Sequence, residues 1–596
     1  MIPIPRRLRL TTVLLSLAAI FLSGCGRSRT PPAEDVPAIS PAPTPPAPST
    51  SPGTAQTDLP PSDSAGADRN LPFREITLVT GIDFRFHSGR DAEEYAILES
   101  LGGGVGVFDF DRDGRVDLMF AGGGDLHNRT ITPHACGLYR NLGDYQFVEQ
   151  TQLAGAAADR FYTHGVYPAD FNGDGFTDVI VSGYGGLQLL KNQGDGTLKS
   201  IEPWAEATDQ QWSTGVSWGD FNADGHLDLY VPHYVSWSWD EHPPCFAAEA
   251  GVREVCGPRE FRGLNDTLLL SDTRGGFIDT TDTAGLVDGG KGLGSVALDV
   301  DLDGDTDVYV ANDTTDNFLY INDGQGVFTE SAIIGGVSGD DVGVNTGSMG
   351  IAAGDCNADG LPDLWVTNFE RELFALYRNE SAGSFTHTSR PAGLAALGGL
   401  YVGFGTVFVD FDHDADQDLV VANGHVSYHS QHSPYLQQGL LLENTGRGKF
   451  QRLPSEGYFA ESHSGRGLAA ADLNNDGGWD MIFCNSEEPV SILAARPPAD
   501  AAWAVVELVG KQTNRDAIGA TVQLVTKDRR QAFPRLGGGS YLSSSDPRFL
   551  LVLPKHATEA EVQVTWNSQH TETFPFPTQT RHVLWVEGSS TAPQAD

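Results

Sequence analysis

Between Asp109 and Asp480 the sequence writes one nine-residue phrase seven times, D-x-[DN]-x-D-G-x-x-D with small variations. Side-chain oxygens at positions 1, 3, 5 and 9 fall on Asp109, Asp111, Asp113 and Asp117; on Asp170, Asn172, Asp174 and Asp178; and on Asp220, Asn222, Asp224 and Asp228. They recur on Asp299, Asp301, Asp303 and Asp307; on Asp355, Asn357, Asp359 and Asp363; on Asp410, Asp412, Asp414 and Asp418; and on Asp472, Asn474, Asp476 and Asp480. A Gly at position 6 permits a sharp bend, and a carbonyl at position 7 adds another oxygen. That donor set suits a hard cation, and its size and flexibility favour calcium over magnesium or zinc. One copy alone also reads as an acidic solvated turn. Seven crowded sets of unpaired carboxylates would be repulsive, so the expectation is calcium, up to seven ions.

The flanks select the scaffold. An EF-hand loop ends in Glu at position 12, where the first copy has Phe120. Spacings of 61, 50, 79, 56, 55 and 62 residues between first aspartates exclude a nine-residue β-roll and leave room for about four strands each. A small-and-apolar segment precedes each loop (GGGVGVF, VGFGTVF), a short apolar strand follows it (VDLMFAG, TDVYVAN), and an N-x-G-x-G-x-F turn comes later (LYINDGQGVF). Seven four-stranded units predict an all-β fold, a seven-bladed β-propeller, over 71–497.

These repeats resemble FG-GAP/VCBS repeats, the calcium-loop blades also found in integrin α-subunit propellers, and VGFGTVFVDFD is close to the motif that names them. The sixth loop departs from the pattern, with Ala415 in place of Gly; if position 6 needs a left-handed backbone, that site is strained. Most units end in a phrase with Phe eight residues before Gly. The seventh lacks it, and a spare copy, FREITLVTG, stands before the first. Residues 71–82 are therefore expected to supply the closing strand of the last blade.

Residues 1–25 place three arginines before a 13-residue apolar run that ends in Leu22-Ser23-Gly24-Cys25. The run is too short to span a bilayer, and the ending resembles a bacterial lipoprotein cleavage box, which implies lipidation of Cys25; a plain secretory signal is the alternative. Residues 26–70, rich in Pro, Ser, Ala and Thr, read as an extended tether. Localisation at the bacterial cell envelope follows, with membrane contact through the lipid alone. The formal net charge of −41 is opposite to a nucleic-acid footprint.

Over 502–588 the calcium phrase stops and strand-like runs such as WAVVELVG and AEVQVTW take over. NRDAIGA and GGGSYLSSSD resemble the ASPIC/UnbV domain, which follows such repeats in bacterial proteins and in the cartilage acidic protein family; a small β-sandwich-like module is implied. LLVLPK and Trp566-Asn567-Ser568-Gln569 depart from that family's phrases. GGGSYLSSSD is readable as a ligand loop or as a tight strand connection. Cys245 and Cys256 lie in one long insertion whose CGPREF resembles a Cys-Gly-Pro-Arg stretch at this place in relatives, and the resemblance implies a disulfide between them, which an oxidising compartment allows. Cys356 and Cys484 read as buried thiols, and Cys136 is uninformative.

No nucleophile elbow, zinc-type His pair or phosphate loop is present in the sequence, and no catalytic residue is assigned. Seven near-equal sites fit folding support better than catalysis. The asymmetry lies in two long loops between second and third strands, which must emerge opposite the acidic loops. They carry Tyr234, Trp237 and Trp239, and His425 and Tyr435. Exposed, these suit a glycan or protein ligand; packed on each other, they are core. The His-rich loop is also a candidate for a transition metal. A calcium-stabilised, lipid-anchored binding or adhesion scaffold is the leading reading, with a carbohydrate-active or oxidative enzyme and an accessory assembly or export factor as alternatives.

Overall fold

Consecutive apolar runs in the second strand of each unit, such as Asp117–Phe120 and Asp307–Asn312, are buried along their whole length rather than on alternate residues. That pattern requires packing on both faces of the sheet. In the computed structural model, which describes residues 72–202, 212–248, 251–381, 383–397, 399–557 and 559–590, seven antiparallel sheets satisfy it. Cys25 and the tether lie outside the described residues.

Each repeat contributes its strands to one sheet, innermost strand first. The innermost strands are Val105–Phe108, Tyr162–Ala169, Ser217–Gly219, Gly292–Leu298, Ile351–Gly354, Gly403–Val409 and Gly465–Ala471. One buried cluster fills each gap between neighbours. Met119 and Val179 join sheets one and two, Leu189 and Leu229 two and three, Tyr230 and Tyr320 three and four. Tyr309 and Tyr377 join four and five, Trp365 and Leu442 five and six, Leu441 and Met481 six and seven. Ile482 and Leu118 then join seven to one. The outer strand of sheet seven comes from the other end of the repeats: Phe73–Glu75 pairs antiparallel with Ser491–Ala495, Phe73 opposite Ala495 and Glu75 opposite Leu493.

The Asn of the N-x-G turn stitches neighbours together. Asn141 Nδ2 donates to Val116 O in its own sheet and to Leu473 O in sheet seven (2.9 and 2.8 Å). Asn192, Asn322, Asn379 and Asn444 reach in the same way to the carbonyls of Phe110, Phe221, Val300 and Cys356, each at position 2 of the acidic loop of the preceding sheet.

The C-terminal module is two sheets around Val506, Val522, Leu551, Val562 and Trp566. One holds Phe549–Val552, Trp503–Val509 and His582–Val586, the last two parallel; the other holds Arg530–Pro534, Thr521–Thr526, Ala560–Thr565 and Thr571–Pro575. The connection between its strands Arg530–Pro534 and Phe549–Val552 leaves the module and threads along the innermost strands of the ring. Gly537–Gly538 adds a fifth strand to sheet four. Ser540 then pairs with Ile351 in sheet five, Leu542 O accepts from Val166 N in sheet two (3.3 Å), Ser544 exchanges hydrogen bonds with Val105 and Val107 in sheet one, and Asp546 N donates to Ala470 O in sheet seven (2.9 Å). The small residues of the innermost strands make room for it: a Cβ on Gly104 would stand 2.0 Å from Leu542 O.

Candidate functional site

All seven acidic loops share one construction. The carboxylate at position 1 accepts backbone N–H groups from within its loop. Asp109 takes those of Asp113 and Gly114 (3.1 and 2.8 Å), and Asp472 takes those of Asp476 and Gly477 (both 3.0 Å). Position 9 opens the second strand and is fully buried in every copy, from Asp117 to Asp480. In most loops its two oxygens accept from position 2 and from the end of the third strand; for Asp307 the donors are Val300 N and Asn322 N (3.0 and 2.9 Å). Position 9 thus fastens the loop to its blade, and in the first and sixth copies also adds an oxygen to the loop's acidic cluster.

Two residues per loop are left-handed. Position 6 has φ of 83–96° where it is Gly, as at Gly114 and Gly304, and 77° at Ala415. Ala415 is therefore strained, at a cost of about 1–2 kcal/mol, offset in part by packing its methyl with Trp503 and Val505 of the module. Position 4 is also left-handed in every copy, and only Gly173 is a glycine there; Arg112, Ala223, Leu302, Ala358, His413 and Asn475 hold φ between 55 and 62°.

Burial, then hydrogen bonding and neighbouring aspartates, displace these carboxyls. Burial pushes Asp117 and Asp178 up to about 8, Asp418 to about 10, and Asp299 and Asp472 to about 7. The buried acids are poor anions unless a cation faces them. Oxygens of Asp109, Asp111 and Asp117, of Asp299, Asp301 and Asp303, and of Asp410, Asp412 and Asp418 lie within 4.8 Å of one another. The second, third, fifth and seventh copies carry Asn at position 3 and replace one of these charges with an amide oxygen.

The copies differ in what else touches them. In the first, Arg140 approaches Asp111 and Asp113 (2.6 and 3.2 Å), and Arg115 also pairs with Asp113. The C-terminal module lies against several others. Asp170 N donates to Asp516 Oδ2 (2.8 Å), Ala532 N to Asp355 Oδ2 (2.9 Å), Gln569 Nε2 to Asp303 O (2.7 Å) and Arg548 to Asp472 O (3.1 Å). A partly open pocket of about 340 Å³ between ring and module is lined by Asp109, Asp170, Glu507, Arg515 and Arg535.

The opposite face corrects the picture of exposed aromatic anchors. Tyr234, Trp237 and His425 are 2%, 4% and 1% exposed; Trp239 and Tyr435 are half-buried. Loops from many sheets meet here in one apolar cap that includes Ile97, Trp212, Phe404 and, from the threading segment, Tyr541 and Leu542. Trp237 packs on Tyr184, Trp212 and Trp239 (centroids 5.3, 6.2 and 5.0 Å), and Tyr234 donates to Asp313 (2.7 Å). His425 faces Glu370 at 3.4 Å. Arg466 closes the cap from below, fully buried, donating to the carbonyls of Ser100, Gly465 and His425 with its guanidinium 4.3 Å over Phe404. Cys245 and Cys256 are joined by a disulfide, and Cys136, Cys356 and Cys484 are buried thiols. The surface left open includes a groove of about 640 Å³ along Asp240, Glu241, His242, Glu260 and Arg262. No run of residues announced the threading segment, the Asn stitches or position 4; only the recurrence of Asn in the third strand was a readable signal.

Residues 109–181, 170–231, 299–366 and 355–421 match the FG-GAP-like repeat family, and residues 510–592 match the ASPIC and UnbV family. Cartilage acidic protein 1 of Homo sapiens is 24% identical over 487 residues, which is 80% of this chain and 62% of that protein. Its Mus musculus counterpart is 26% identical over 272 residues, 44% of this chain and 39% of that one. The chain therefore spans less than two thirds of the length of these relatives. Among solved structures, an Agrocybe aegerita lectin that recognises non-reducing terminal N-acetylglucosamine is 15% identical with a TM-score of 0.36, covering 65% of this chain and 87% of its own. The V. cholerae biofilm matrix protein Bap1 is 12% identical with a TM-score of 0.30, covering 85% and 62%. Overlaps that loose carry no argument about a ligand.

Proposed function

We propose, for a chain that carries FG-GAP-like repeats closed by an ASPIC and UnbV domain and is homologous to cartilage acidic protein 1, the role of a calcium-stabilised binding scaffold at the bacterial cell envelope. The observation that carries the calcium half is the left-handed backbone at position 4 in all seven loops, six times on a residue with a side chain. Such strain persists where surrounding structure or a ligand over-determines it. Buried carboxylates lie beside it, and a dication would relieve both their repulsion and their raised proton affinity. Lipidation at Cys25 and a 26–70 tether would hold the scaffold at the membrane.

The partner is a glycan or a protein, bound on the face away from the acidic loops. The module occupies part of the loop face, and its threading segment occupies the axis. The partly exposed Trp239 and Tyr435, with the groove along Asp240, His242 and Arg262, are what the opposite face offers. Melting the described domains in EDTA and again in excess calcium tests the first half. Calcium restores the higher midpoint by mass action, since it binds only the folded loops; an unchanged curve and no calcium by elemental analysis would refute it. A glycan array probed with the delipidated chain, with and without calcium, tests the second. Capture that is indifferent to Trp239→Ala and Tyr435→Ala would place recognition elsewhere.

A further inference from the structure

Outside the repeated loops, two histidines and an aspartate converge on the loop face opposite the acidic sites. Asp125 lies on a hairpin, Gly124–His127 with Thr130–Pro133, inserted between the second and third strands of sheet one, and His134 follows it. His87 comes from the segment before sheet one. Backbone bonds fix the pair: His87 N donates to Gly122 O (3.2 Å), Gly124 N to His87 O (2.8 Å), and His134 N to Gly123 O (3.0 Å). Glu487 pins the next turn by accepting from Ser88 N and Gly89 N (2.7 and 3.2 Å). The imidazoles are stacked, centroids 4.0 Å apart and 10° from parallel, so their edges can present nitrogens to the same side.

We infer that His87, Asp125 and His134 form a binding site for a divalent transition-metal ion of the zinc class. One ligand atom from each lies within 4.8 Å of the others. His134 Nε2 is a buried atom that pairs with Asp125 Oδ2 at 2.9 Å. Two donors roughly 2.0–2.1 Å from a common ion and 2.9 Å apart subtend about 90° at it, an angle found in five- and six-coordinate sites. Two imidazoles and a carboxylate suit zinc, cobalt, nickel or copper rather than calcium, and three protein ligands leave positions for water or a partner's side chain. The candidate read from the sequence, the His-rich loop, contributes no residue to any three-ligand group among the described residues.

The test uses the full chain, stripped with chelator and held in excess calcium, which serves the acidic loops and competes poorly for nitrogen. Titration with cobalt(II) at neutral pH is expected to give visible bands that saturate at one equivalent and are bleached by zinc. His134→Ala and Asp125→Asn should each weaken binding by about tenfold or more, since even outer-shell changes cost 10–100-fold. Asp125 is 60% exposed in its side chain, so its variant leaves the fold intact, and its melting curve in calcium checks this. His429→Ala and His432→Ala should leave the isotherm unchanged. Identical isotherms for the native chain and both ligand variants, no saturable band, or a band lost only with His429→Ala would each overturn the assignment.

Discussion

Ser540→Ala tests whether the module's threading segment is built into the ring. Ser540 is nearly buried, and its hydroxyl serves two backbone groups of different sheets. It accepts from Thr406 N in sheet six (3.2 Å) and donates to Leu468 O in sheet seven (2.7 Å). Alanine leaves the pairing of its own backbone with Ile351 in place and strands both of those groups. A buried group left unpaired costs about 1–3 kcal/mol. The carbonyl keeps a second lone pair, so the expected loss is about 2–4 kcal/mol. Ser545→Ala is the comparison: its hydroxyl accepts from Ala470 N alone (3.1 Å), and about 1 kcal/mol is expected. Urea unfolding in saturating calcium measures the difference, and native-state hydrogen exchange should show the Thr406 amide opening faster in Ser540→Ala alone. Stability within about 0.5 kcal/mol of the native chain, the range of an inconsequential surface change, with an equally protected Thr406 amide, would show that the segment is not held there in solution.

Deleting residues 71–82 should expose the edge of Ser491–Ala495 and promote aggregation, while an equal deletion within 26–70 should not; equal behaviour in light scattering would remove the strand from the ring. Trp237→Ala should cost about 3–5 kcal/mol of stability before any effect on capture, read by melting and by binding per folded molecule; a normal melt with lost capture would return Trp237 to the binding surface. Burial lowers His164 to about 3 and His233 to about 4, from 6.5. Between those values the unfolded chain binds protons that the native one does not, so stability is complete above about pH 6.5 and falls below it by up to about 1.4 kcal/mol per pH unit per imidazole. His164→Gln, which keeps an acceptor for Trp212 Nε1 (2.8 Å in the native chain), should flatten that slope between about pH 6.5 and 5 in saturating calcium; an unchanged slope would refute the assignment to His164.

The acidic loops were legible as repeated structural units because the same residue types recur at fixed spacing in seven copies. Position 4 was not, because Arg112, Leu302 and His413 share a left-handed backbone conformation that nothing in their own side chains calls for. The burial of Tyr234 and Trp237 was illegible for a different reason. Their cap is assembled from Ile97, Val402, Phe404 and Tyr541, residues brought together only when the ring exists. Local composition reads an aromatic beside polar groups the same way whether such a cap forms or not.

The phrase GGGSYLSSSD makes the same point at the centre of the molecule. Its glycines answer to close approach: a Cβ on Gly537 would stand 1.7 Å from Trp218 O, which no rotamer can relieve. Its serines answer to the innermost strands, whose N–H and C=O groups face the axis and need partners. Ser540, Ser543, Ser544 and Ser545 all supply hydroxyls to them. Small residues in those strands and small polar residues in the segment are therefore one adaptation seen from two sides. With the axis filled by the chain's own backbone and Arg466 and Tyr541 buried at its far end, a ligand that sought the channel would have to break this pairing. The proposed binding role accordingly assigns recognition to the loops around the cap, where the repeats differ most.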